Sequence, residues 1–433
     1  MIWKIFLVIA VLFFITDIYI YALYRSRKRK KRISVFRRIL FFLPSVLLML
    51  FGLGYFFYYK QAGLLYSDNM AGLMWFSLIS CFFLIPKFLF MIISVWDLLF
   101  KFVFRVRMRF FTYLGVLAAL AVVIIFIIGV WVDRDKLEVK RINLYSEQLP
   151  PAFSGLKIVQ ISDLHIGNLV KKDAVISRMV AFINSENPDI IVFTGDLVNL
   201  SAAELDGTEK YLSKLKAKEG IFSILGNHDY ADYRKWDSLA EKEENLQYLI
   251  KSQENFGWKM LNNASVTLCR DSDFIAVIGT ENWGEPPFHQ YGDLEKAMAG
   301  VENIPFKILL THNPVHWSEK VVNQKDIFLT LAGHTHAMQL RFNIIKPVSP
   351  ASLRYKYWEG LHYENDQYLY VNTGIGYVGI PFRFGVRPEI TVIEIESKGI
   401  HKEENSSNKK ENFSNEEENP SNSEELEGFD DTM

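Results

Sequence analysis

The chain has 433 residues, half of them hydrophobic, and is longer than one typical domain, so a single uniformly soluble globule is not expected. Its formal net charge of −1 conceals a strong segregation, because residues 1–132 carry 16 Lys/Arg against three Asp, whereas residues 402–433 carry 11 Asp/Glu against three Lys. Only two cysteines occur, Cys81 and Cys269, which excludes a disulfide scaffold and a cysteine-rich zinc module.

The N-terminal part of the chain contains four apolar stretches, at about 2–23, 39–59, 70–96 and 110–132. Each is close to the ~20 residues that a helix needs to cross the hydrocarbon of a bilayer. A cleaved signal peptide would have its positive charges before its apolar segment, but here most of the cations follow it. The sequence therefore predicts an α-helical membrane anchor over residues 1–132, with four transmembrane helices.

Basic residues beside these stretches predict the orientation of the anchor. Lys and Arg crowd residues 25–38, and a second basic segment, 101–109, follows the third stretch. Such segments resist translocation, so both are expected in the cytoplasm. The prediction is a multi-pass protein of the cytoplasmic or inner membrane, with its N-terminus and everything after Trp131 outside the cytoplasm. Binding of nucleic acid or anionic lipid is the alternative role of the basic block, but topology explains so short a loop better, and no nucleic-acid partner is expected.

Two charged residues, Asp17 and Lys87, lie within apolar stretches. They could form a functional intramembrane pair. Lys87 is about eight residues from the predicted cytoplasmic end of its span, however, and its long side chain can reach toward the lipid headgroups. An anchor is the preferred interpretation of this half, with transport or sensing as the alternative.

After a charged linker predicted over residues 133–154, short apolar runs alternate with amphipathic stretches. This alternation is typical of α/β domains. Runs such as LKIVQ, DIIVF, FKILL and IFLTL lead directly into polar residues, so the polar clusters are expected at the carboxyl ends of strands. Open α/β sheets bind their ligands at these ends.

The predicted strand ends carry oxygen and nitrogen ligands for metals: Asp163, His165, Asp196, Asn227, His312, His334 and His336. In an extended segment residues i and i+2 project to the same side, so Asp163 with His165, and His334 with His336, are each expected to converge on one point. A donor set without thiolates favours Mn, Fe or Zn. Seven ligands suit two divalent ions that share a carboxylate, although any one of these histidines alone is better explained as an ordinary polar residue at a strand end.

The motifs SDLHIG, GDLVN, GNHD, THNP and GHTH occur in this order, and TGIG and the Arg-rich segment PFRFGVRPEITVIEI follow them. With these motifs, residues 155–396 resemble the calcineurin-like metallophosphoesterase superfamily, and within it the membrane-anchored bacterial phosphodiesterase branch. The resemblance implies a four-layer α/β/β/α sandwich, in which two mixed sheets pack face to face and the metals lie at their shared edge.

The resemblance also implies roles for the ligands. Asp163, His165 and His336 would hold the first metal, Asn227, His312 and His334 would hold the second, and Asp196 would bridge them. A hydroxide between the two cations would attack phosphorus, and His228 would act as general acid for the leaving group. The implied function is hydrolysis of a phosphodiester, pyrophosphate or phosphomonoester. A metal-binding membrane sensor or scaffold with little turnover is the alternative.

Two departures from the family pattern concern the same site. Many relatives have an Asp three residues after the bridging Asp, where it orients the acidic histidine, and this chain has Asn199 there. An amide can hold an imidazole but cannot stabilise its cation as a carboxylate does, so either the acid step is weaker or Asp229 supplies the charge. Ala337 and Met338 stand where relatives in this branch often have two glycines, which suggests a different substrate shape near the metals.

Arg383 and Arg387 are the best candidates for contact with substrate phosphate, because guanidinium groups pair with phosphate oxygens; a surface ion pair is the equally supported alternative. Two aromatic groups suit an amphiphilic, lipid-linked substrate at the membrane face, or they pack the edge of the sandwich. The first comprises Trp283, Phe288, His289 and Tyr291, and the second comprises Tyr355, Tyr357, Trp358, His362 and Tyr363. A soluble phosphate ester is the alternative substrate.

The acidic tail, residues 402–433, has almost no apolar side chains. It cannot bury enough surface to fold, so it is predicted to be disordered.

Overall fold

The computed structural model describes residues 2–27, 34–61, 71–286, 288–398 and 422–425. The chain divides into a helical unit, formed by the residues up to Val132 together with Gly379–Phe382, and an α/β unit formed by Asp133–Val378 and the residues from Arg383 onward.

Four long helices form the N-terminal unit: α1 (Ile2–Arg27), α2 (Val35–Gln61), α3 (Ala71–Val103) and α4 (Phe110–Trp131). Each contains a segment long and apolar enough to cross a bilayer, so the four predicted spans are confirmed as helices. The first three helices extend beyond their apolar runs, because Lys and Arg are themselves good helix formers. Residues 28–33 of the basic block, and 62–70 of the short loop between spans, lie outside the described residues.

The charged pair in the apolar stretches lies inside the helical unit. Lys87 Nζ of α3 donates to Asp17 Oδ1 of α1 at 2.7 Å and to Ser45 Oγ of α2 at 2.9 Å. Asp17 is buried. The lysine therefore pairs within the helices, which differs from the expected reach toward the headgroups, because a buried carboxylate nearby favours the ammonium group more than lipid does.

Two large β-sheets dominate the second unit. Its strands are β1 (Glu138–Ser146), β2 (Leu156–Ile161), β3 (Ile190–Phe193), β4 (Gly220–Ser223), β5 (Lys259–Met260), β6 (Ala264–Arg270), β7 (Asp273–Gly279), β8 (Lys307–Leu310), β9 (Leu329–Ala332), β10 (Phe342–Asn343), β11 (Pro347–Val348), β12 (Gly360–Glu364), β13 (Gln367–Val371), β14 (Glu389–Ser397) and β15 (Asn422–Glu425). Its helices are α5 (Lys172–Ser185), α6 (Glu209–Leu212), α7 (Leu239–Asn255) and α8 (Leu294–Met298).

The strand order is β15-β1-β14-β2-β3-β4-β5 in the first sheet and β12-β13-β9-β8-β7-β6 in the second, while β10 and β11 form a separate pair. Both sheets are mixed. Strands β2 to β5 are mutually parallel, as are β13, β9, β8 and β7. Antiparallel pairs, such as β14 with β2 and β6 with β7, lie beside them. The strands that precede the polar motifs are therefore parallel within each sheet.

The central strands are buried on both faces, as their unbroken apolar runs predict. In β3, Val192 lies in a core shared with Ile308 and Leu331 of the second sheet, so the two sheets pack face to face. The neighbouring residue Ile191 points the other way, into a core that contains Ile176 of α5. On the far side, α8 and the turn around Trp317 cover the outer face of the second sheet. The predicted four-layer α/β/β/α sandwich is confirmed.

Much of the predicted linker, residues 133–154, is instead part of the α/β unit. β1 pairs in parallel with β14 along its whole length, from Glu138 opposite Glu389 to Ser146 opposite Ser397. Val139, Ile142 and Leu144 of β1 are buried. Charged residues between them interrupt the apolar pattern and conceal the strand in the sequence.

Most of the acidic tail lies outside the described residues. The exception, Asn422–Glu425, forms β15 and pairs antiparallel with β1. This strand differs from the predicted disorder. An edge strand such as β1 offers unpaired backbone groups, which a polar segment can pair without burying apolar side chains.

Candidate metal centre

Five loops at the carboxyl ends of parallel strands build the site. In the first sheet Asp163 follows β2, Asp196 follows β3 and Asn227 follows β4; in the second sheet His312 follows β8 and His334 follows β9. Parallel strands end at the same edge of a sheet, and the two sheets face each other, so these loops meet. All of the predicted metal ligands lie there, in two groups of close donor atoms.

The first group consists of Asp163, His165 and His336, all of them buried. Nε2 of His165 lies 3.1 Å from Nε2 of His336. Oδ1 of Asp163 lies 3.2 Å from Nε2 of His336 and 4.0 Å from Nε2 of His165. Three donor atoms this close together can ligate one cation.

The second group consists of Asn227, His312 and His334. Oδ1 of Asn227 lies 2.8 Å from Nδ1 of His334 and 3.0 Å from Nε2 of His312. The two ring nitrogens are 3.2 Å apart. This group again offers one amide oxygen and two imidazole nitrogens to a single point.

Asp196 lies between the two groups. Its Oδ2 is 3.6 Å from His165 Nε2 of the first group and 3.2 Å from His312 Nε2 of the second. Its Oδ1 accepts the backbone N–H of His228 at 2.7 Å, which fixes the carboxylate. A single oxygen is thus within reach of both positions, as expected of a carboxylate shared by two ions.

The donor set fits two borderline divalent cations. Ring nitrogens approach each other in both groups, at 3.1 and 3.2 Å, so each pair either shares a proton or directs two lone pairs at one cation. The donors are carboxylate, amide and imidazole, without thiolate, which suits Mn, Fe or Zn. These residues therefore fit the pair of divalent cations that the motifs imply.

The electrostatics of the centre favour bound positive charge. Burial lowers the pKa of His165 well below its usual value and that of His334 to about 3, so both imidazoles are neutral near pH 7 and offer lone pairs. Burial alone would raise the pKa of Asp196, but the neighbouring histidines, His312 above all, hold it well below its usual value. The carboxylate is therefore ionised and attracts cations.

The local backbone differs from the extended geometry expected of the two histidine motifs. Asp163, His165, His334 and His336 have positive φ angles of 52°, 41°, 74° and 48°. Asp163 and His165 do join one group, but His334 and His336 belong to different groups, so their predicted convergence on one point is wrong. Their left-handed backbone, which non-glycine residues rarely adopt, is a strained conformation of the kind found at functional sites.

His228 lies beside the donor groups and is held by its surroundings. Its Nδ1 lies 2.8 Å from the backbone carbonyl oxygen of Asn199 and can donate to it. Its ring meets the ring of His165 edge to face at 4.7 Å. The predicted orienting role of Asn199 is thus carried by its main chain rather than by its side-chain amide, so an Asp at position 199 is not needed for this contact.

Asp229 does not face His228 as the alternative source of charge would require. It is fully buried, and its two carboxylate oxygens accept the backbone N–H groups of Asp196, Leu197 and Gly226, each at 2.9 Å. Burial and the nearby Asp196 raise its pKa to about 7. Its hydrogen bonds indicate that it shapes the loop that carries Asp196, and they argue against the predicted catalytic role.

Arg383 and Arg387 occupy different environments from the one predicted. Arg383 is 0% exposed; its Nε donates to the Gly376 carbonyl at 2.9 Å, and its Nη2 donates to the Thr373 carbonyl at 3.0 Å and lies 3.2 Å from Nδ1 of His336. An enclosed guanidinium cannot reach a substrate phosphate, which argues against the predicted contact. Arg387 pairs with Asp133 at 3.2 Å, as in the ion-pair alternative.

Ala337 and Met338, the two departures from the expected glycine pair, lie in a strained turn after His336. Both have left-handed backbone, with φ angles of 48° and 46°. Glycine adopts this conformation without strain, whereas Ala and Met do not. Met338 is 43% exposed next to His336, so it adds an apolar surface beside the first group.

The first aromatic group divides between packing and the rim of the site. Tyr291 stacks on Tyr230 at 4.0 Å between ring centroids, and Trp283 stacks on His316 at 4.7 Å. Phe288, by contrast, is 44% exposed. The second group is similar, because Tyr357 packs against Trp317 at 5.1 Å, whereas Tyr355 reaches the centre and places its Oη 3.2 Å from Nε2 of His334.

Glu204 is a structural carboxylate of the site that the motifs did not reveal. It is buried, and it accepts the backbone N–H groups of Gly167 at 3.0 Å and of Asn199 and Leu200 at 2.7 Å. These bonds connect the loop after His165 with the loop that contacts His228. Ser201 and Glu204 form a capping box, and the S-x-x-E pattern in the sequence was the signal that could have identified it.

Tyr233 is the second residue that the motifs did not reveal. Its hydroxyl accepts from Nδ2 of Asn227 at 2.9 Å, and its ring stacks on His228 at 4.3 Å between centroids. No local pattern marks it, because it lies six residues beyond Asn227 in an irregular segment.

Residues 156–338 match the family model described as calcineurin-like phosphoesterase. A Bos taurus protein named "Transmembrane protein with metallophosphoesterase domain" is 30% identical over 288 residues, which are 65% of this chain and 62% of that protein. The chain therefore spans less than two thirds of the length of this relative. The family model bears out the resemblance indicated by the motifs.

For two bacterial relatives the match covers a larger share of the relative. The Bacillus subtilis protein named "Uncharacterized metallophosphoesterase YkuE" is 28% identical over 62% of this chain and 88% of its own. The Chlamydia trachomatis protein named "UDP-2,3-diacylglucosamine pyrophosphatase LpxG" is 28% identical over 61% of this chain and 93% of its own.

Proposed function

Residues 156–338 belong to the calcineurin-like phosphoesterases, and we propose that this chain is a membrane-anchored phosphoesterase that uses two divalent cations to hydrolyse a phosphodiester, pyrophosphate or phosphomonoester. The observation that carries the proposal is the position of Asp196. Its Oδ2 lies within 3.6 Å of a donor nitrogen in each group, so one carboxylate serves two cation positions.

Two cations held in this way would polarise the phosphoryl oxygens and acidify water near neutral pH. The residues that would hold them are Asp163, His165 and His336 on one side and Asn227, His312 and His334 on the other, with Asp196 between them. Because most of these groups are buried and held by hydrogen bonds, they are arranged before a substrate arrives.

His228 is the proposed general acid. The carbonyl of Asn199 accepts from its Nδ1, which leaves Nε2 to hold the proton that the leaving oxygen takes up. The Asn at position 199 was the single feature that favoured a sensor or scaffold with little turnover. Since the backbone carbonyl supplies the orienting contact, this feature does not count against turnover.

The four helices are long and apolar enough to cross a bilayer, which supports a membrane protein. We extend the proposal to its orientation, because the basic residues near the first and third spans favour a cytoplasmic position for those loops and a catalytic domain outside the cytoplasm. A reporter that is active only in the cytosol, fused to the C-terminus, should then be inactive. Activity of that fusion would contradict the orientation.

A lipid-linked phosphate ester is the proposed substrate class. The relative named for a diacylated sugar-nucleotide pyrophosphatase supports this choice, and the half-exposed Phe288 and Met338 offer apolar contacts near the centre. The test compares kcat/KM for a lipid-linked pyrophosphate and for a water-soluble pyrophosphate with the same polar part. A clear preference for the lipid is expected, whereas equal values would favour the soluble substrate.

Activity itself is tested with the full chain, purified in detergent and loaded with Mn²⁺. It should hydrolyse bis(4-nitrophenyl) phosphate and lose this activity when a chelator removes the metal. Asp196→Ala should abolish turnover, whereas Asp173→Ala, on the exposed side of α5, should retain it. An Asp196→Ala protein with unchanged activity and a measured content of two metals would contradict the proposal.

A further inference from the structure

Tyr233 touches both parts of the proposed machinery without belonging to the core of the domain. The side chain is 41% exposed, in the irregular segment between β4 and α7. Because so much of it is in solvent, its burial contributes little to folding. Its hydrogen bond is to Asn227, and its ring contacts are with His228 and Phe288.

The hydroxyl of Tyr233 anchors the Asn227 amide with its oxygen toward the second group. Nδ2 of Asn227 donates to Tyr233 Oη at 2.9 Å, and Oδ1 then points to His334 and His312 at 2.8 and 3.0 Å. The two ends of an amide have nearly the same shape, but only the oxygen can ligate a cation. Among the described residues, Tyr233 provides the acceptor recorded for Nδ2, so it anchors the amide where Oδ1 meets the two ring nitrogens.

The ring of Tyr233 restrains the imidazole of His228. The two rings stack at 4.3 Å with an interplanar angle of 24°. The Asn199 carbonyl holds Nδ1 within the ring plane, and the stacked phenol limits tilting out of that plane. The edge of His165 lies against the same imidazole at 4.7 Å. These contacts together leave the imidazole little freedom to turn away from a substrate.

We propose that Tyr233 is a positioning residue with two separable tasks: its hydroxyl orients Asn227 as a ligand of the second cation, and its ring holds His228 in place for proton transfer. This inference rests on the proposed function. The two tasks involve different atoms, so two substitutions separate them. Tyr233→Phe removes the hydroxyl and keeps the ring, whereas Tyr233→Leu removes both.

The first measurement is the affinity of the full chain in detergent for Mn²⁺, determined by equilibrium dialysis. Tyr233→Phe should weaken the binding of one of the two ions by about 10-fold, the lower end of the effect of losing a contact that orients a ligand. Native affinity for both ions in Tyr233→Phe would overturn the role of the hydroxyl. Tyr248→Phe, which removes a hydroxyl from an exposed side chain of α7, is the matched control and should bind as the wild type does.

The second measurement is kcat at saturating Mn²⁺ for two diesters, one with a 4-nitrophenolate leaving group and one with a simple alkoxide. A misplaced acid slows only the alkoxide, which needs the proton. Tyr233→Phe should keep the wild-type ratio of the two rates, whereas Tyr233→Leu should lower the alkoxide rate selectively, by about 10-fold. Equal slowing of both substrates in Tyr233→Leu would overturn the role of the ring.

These outcomes can be told apart from a failure of the proposed function. A wild-type chain that binds two ions but hydrolyses neither diester would refute the diesterase activity on which the second measurement depends, and the dialysis comparison would still decide the role of the hydroxyl. A wild-type chain that binds no metal would overturn both proposals.

Discussion

Gly226 lies where two loops of the centre make their closest approach, and its replacement by Ala is predicted to displace the shared ligand. A Cβ atom at this position would lie 2.2 Å from Oδ1 of Asp196 and 2.5 Å from its backbone nitrogen. Real Cβ atoms essentially never come within 3.0 Å of such neighbours. The two loops must therefore separate by at least about 0.5 Å to clear the backbone nitrogen, and Oδ1 must move by at least about 0.8 Å.

The magnitude follows from this geometry. Rotation of the Asp196 side chain cannot relieve the clash, because its backbone nitrogen is also too close. Overpacking of this kind costs about 1–3 kcal/mol, which lowers the melting temperature of a domain of this size by about 2–12 °C. Since Oδ2 of Asp196 serves both donor groups, a shift approaching 1 Å should also lower kcat by about 100-fold.

The assay compares the Mn²⁺ content, the melting temperature and the turnover of a chromogenic diester for Gly226→Ala and wild type, as full chains in detergent. Gly54→Ala in α2 is the control, because a Cβ there meets open space. A Gly226→Ala protein with native metal content, and with turnover within about twofold of wild type, would refute the argument that the position of Asp196 governs the centre.

Three further predictions concern residues around the centre. Asn199→Ala should change kcat by less than about twofold, because the backbone carbonyl makes the contact with His228; a larger loss in steady-state assays would restore a role for the amide. Arg383→Lys should lower the free energy of unfolding by about 1–3 kcal/mol without raising KM, because one ammonium group cannot donate to both carbonyls that the guanidinium group contacts. A raised KM at native stability would instead indicate contact with the substrate. Burial and, to a smaller extent, the nearby Lys320 lower the pKa of His316 to about 4. Below pH 6.5 the unfolded chain therefore takes up a proton that the folded chain does not. As the pH falls to 4, the wild type should lose up to about 3 kcal/mol of its free energy of unfolding relative to His316→Phe. Melting temperatures of the two proteins with parallel pH dependence would contradict that pKa.

The sequence alone predicted the architecture, because the relevant signals are local. Apolar stretches long enough to span a bilayer identify α1 to α4 without knowledge of any contact. Apolar runs that end in Asp, Asn or His identify the strands and place the ligands at their carboxyl ends, as Asp163 and Asp196 illustrate. β1 was missed because charged residues separate its buried positions, and its partner, β14, lies far away in the sequence.

The roles of residues beside the ligands depend on directions that residue type does not specify. A carboxyl group at position 229 could face His228 or the backbone, and an arginine at position 383 could face a phosphate or a carbonyl. The choice is made by loops from distant parts of the chain, whose amide and carbonyl groups must all find partners once they are buried. Asp229 and Arg383 satisfy such groups, while the main chain of Asn199 and the side chain of Tyr233 contact the imidazole of His228. The sequence was therefore enough to predict the metal-ligating residues of the centre. The contacts that support them depend on the tertiary structure, because they form only where the two sheets bring their loops together.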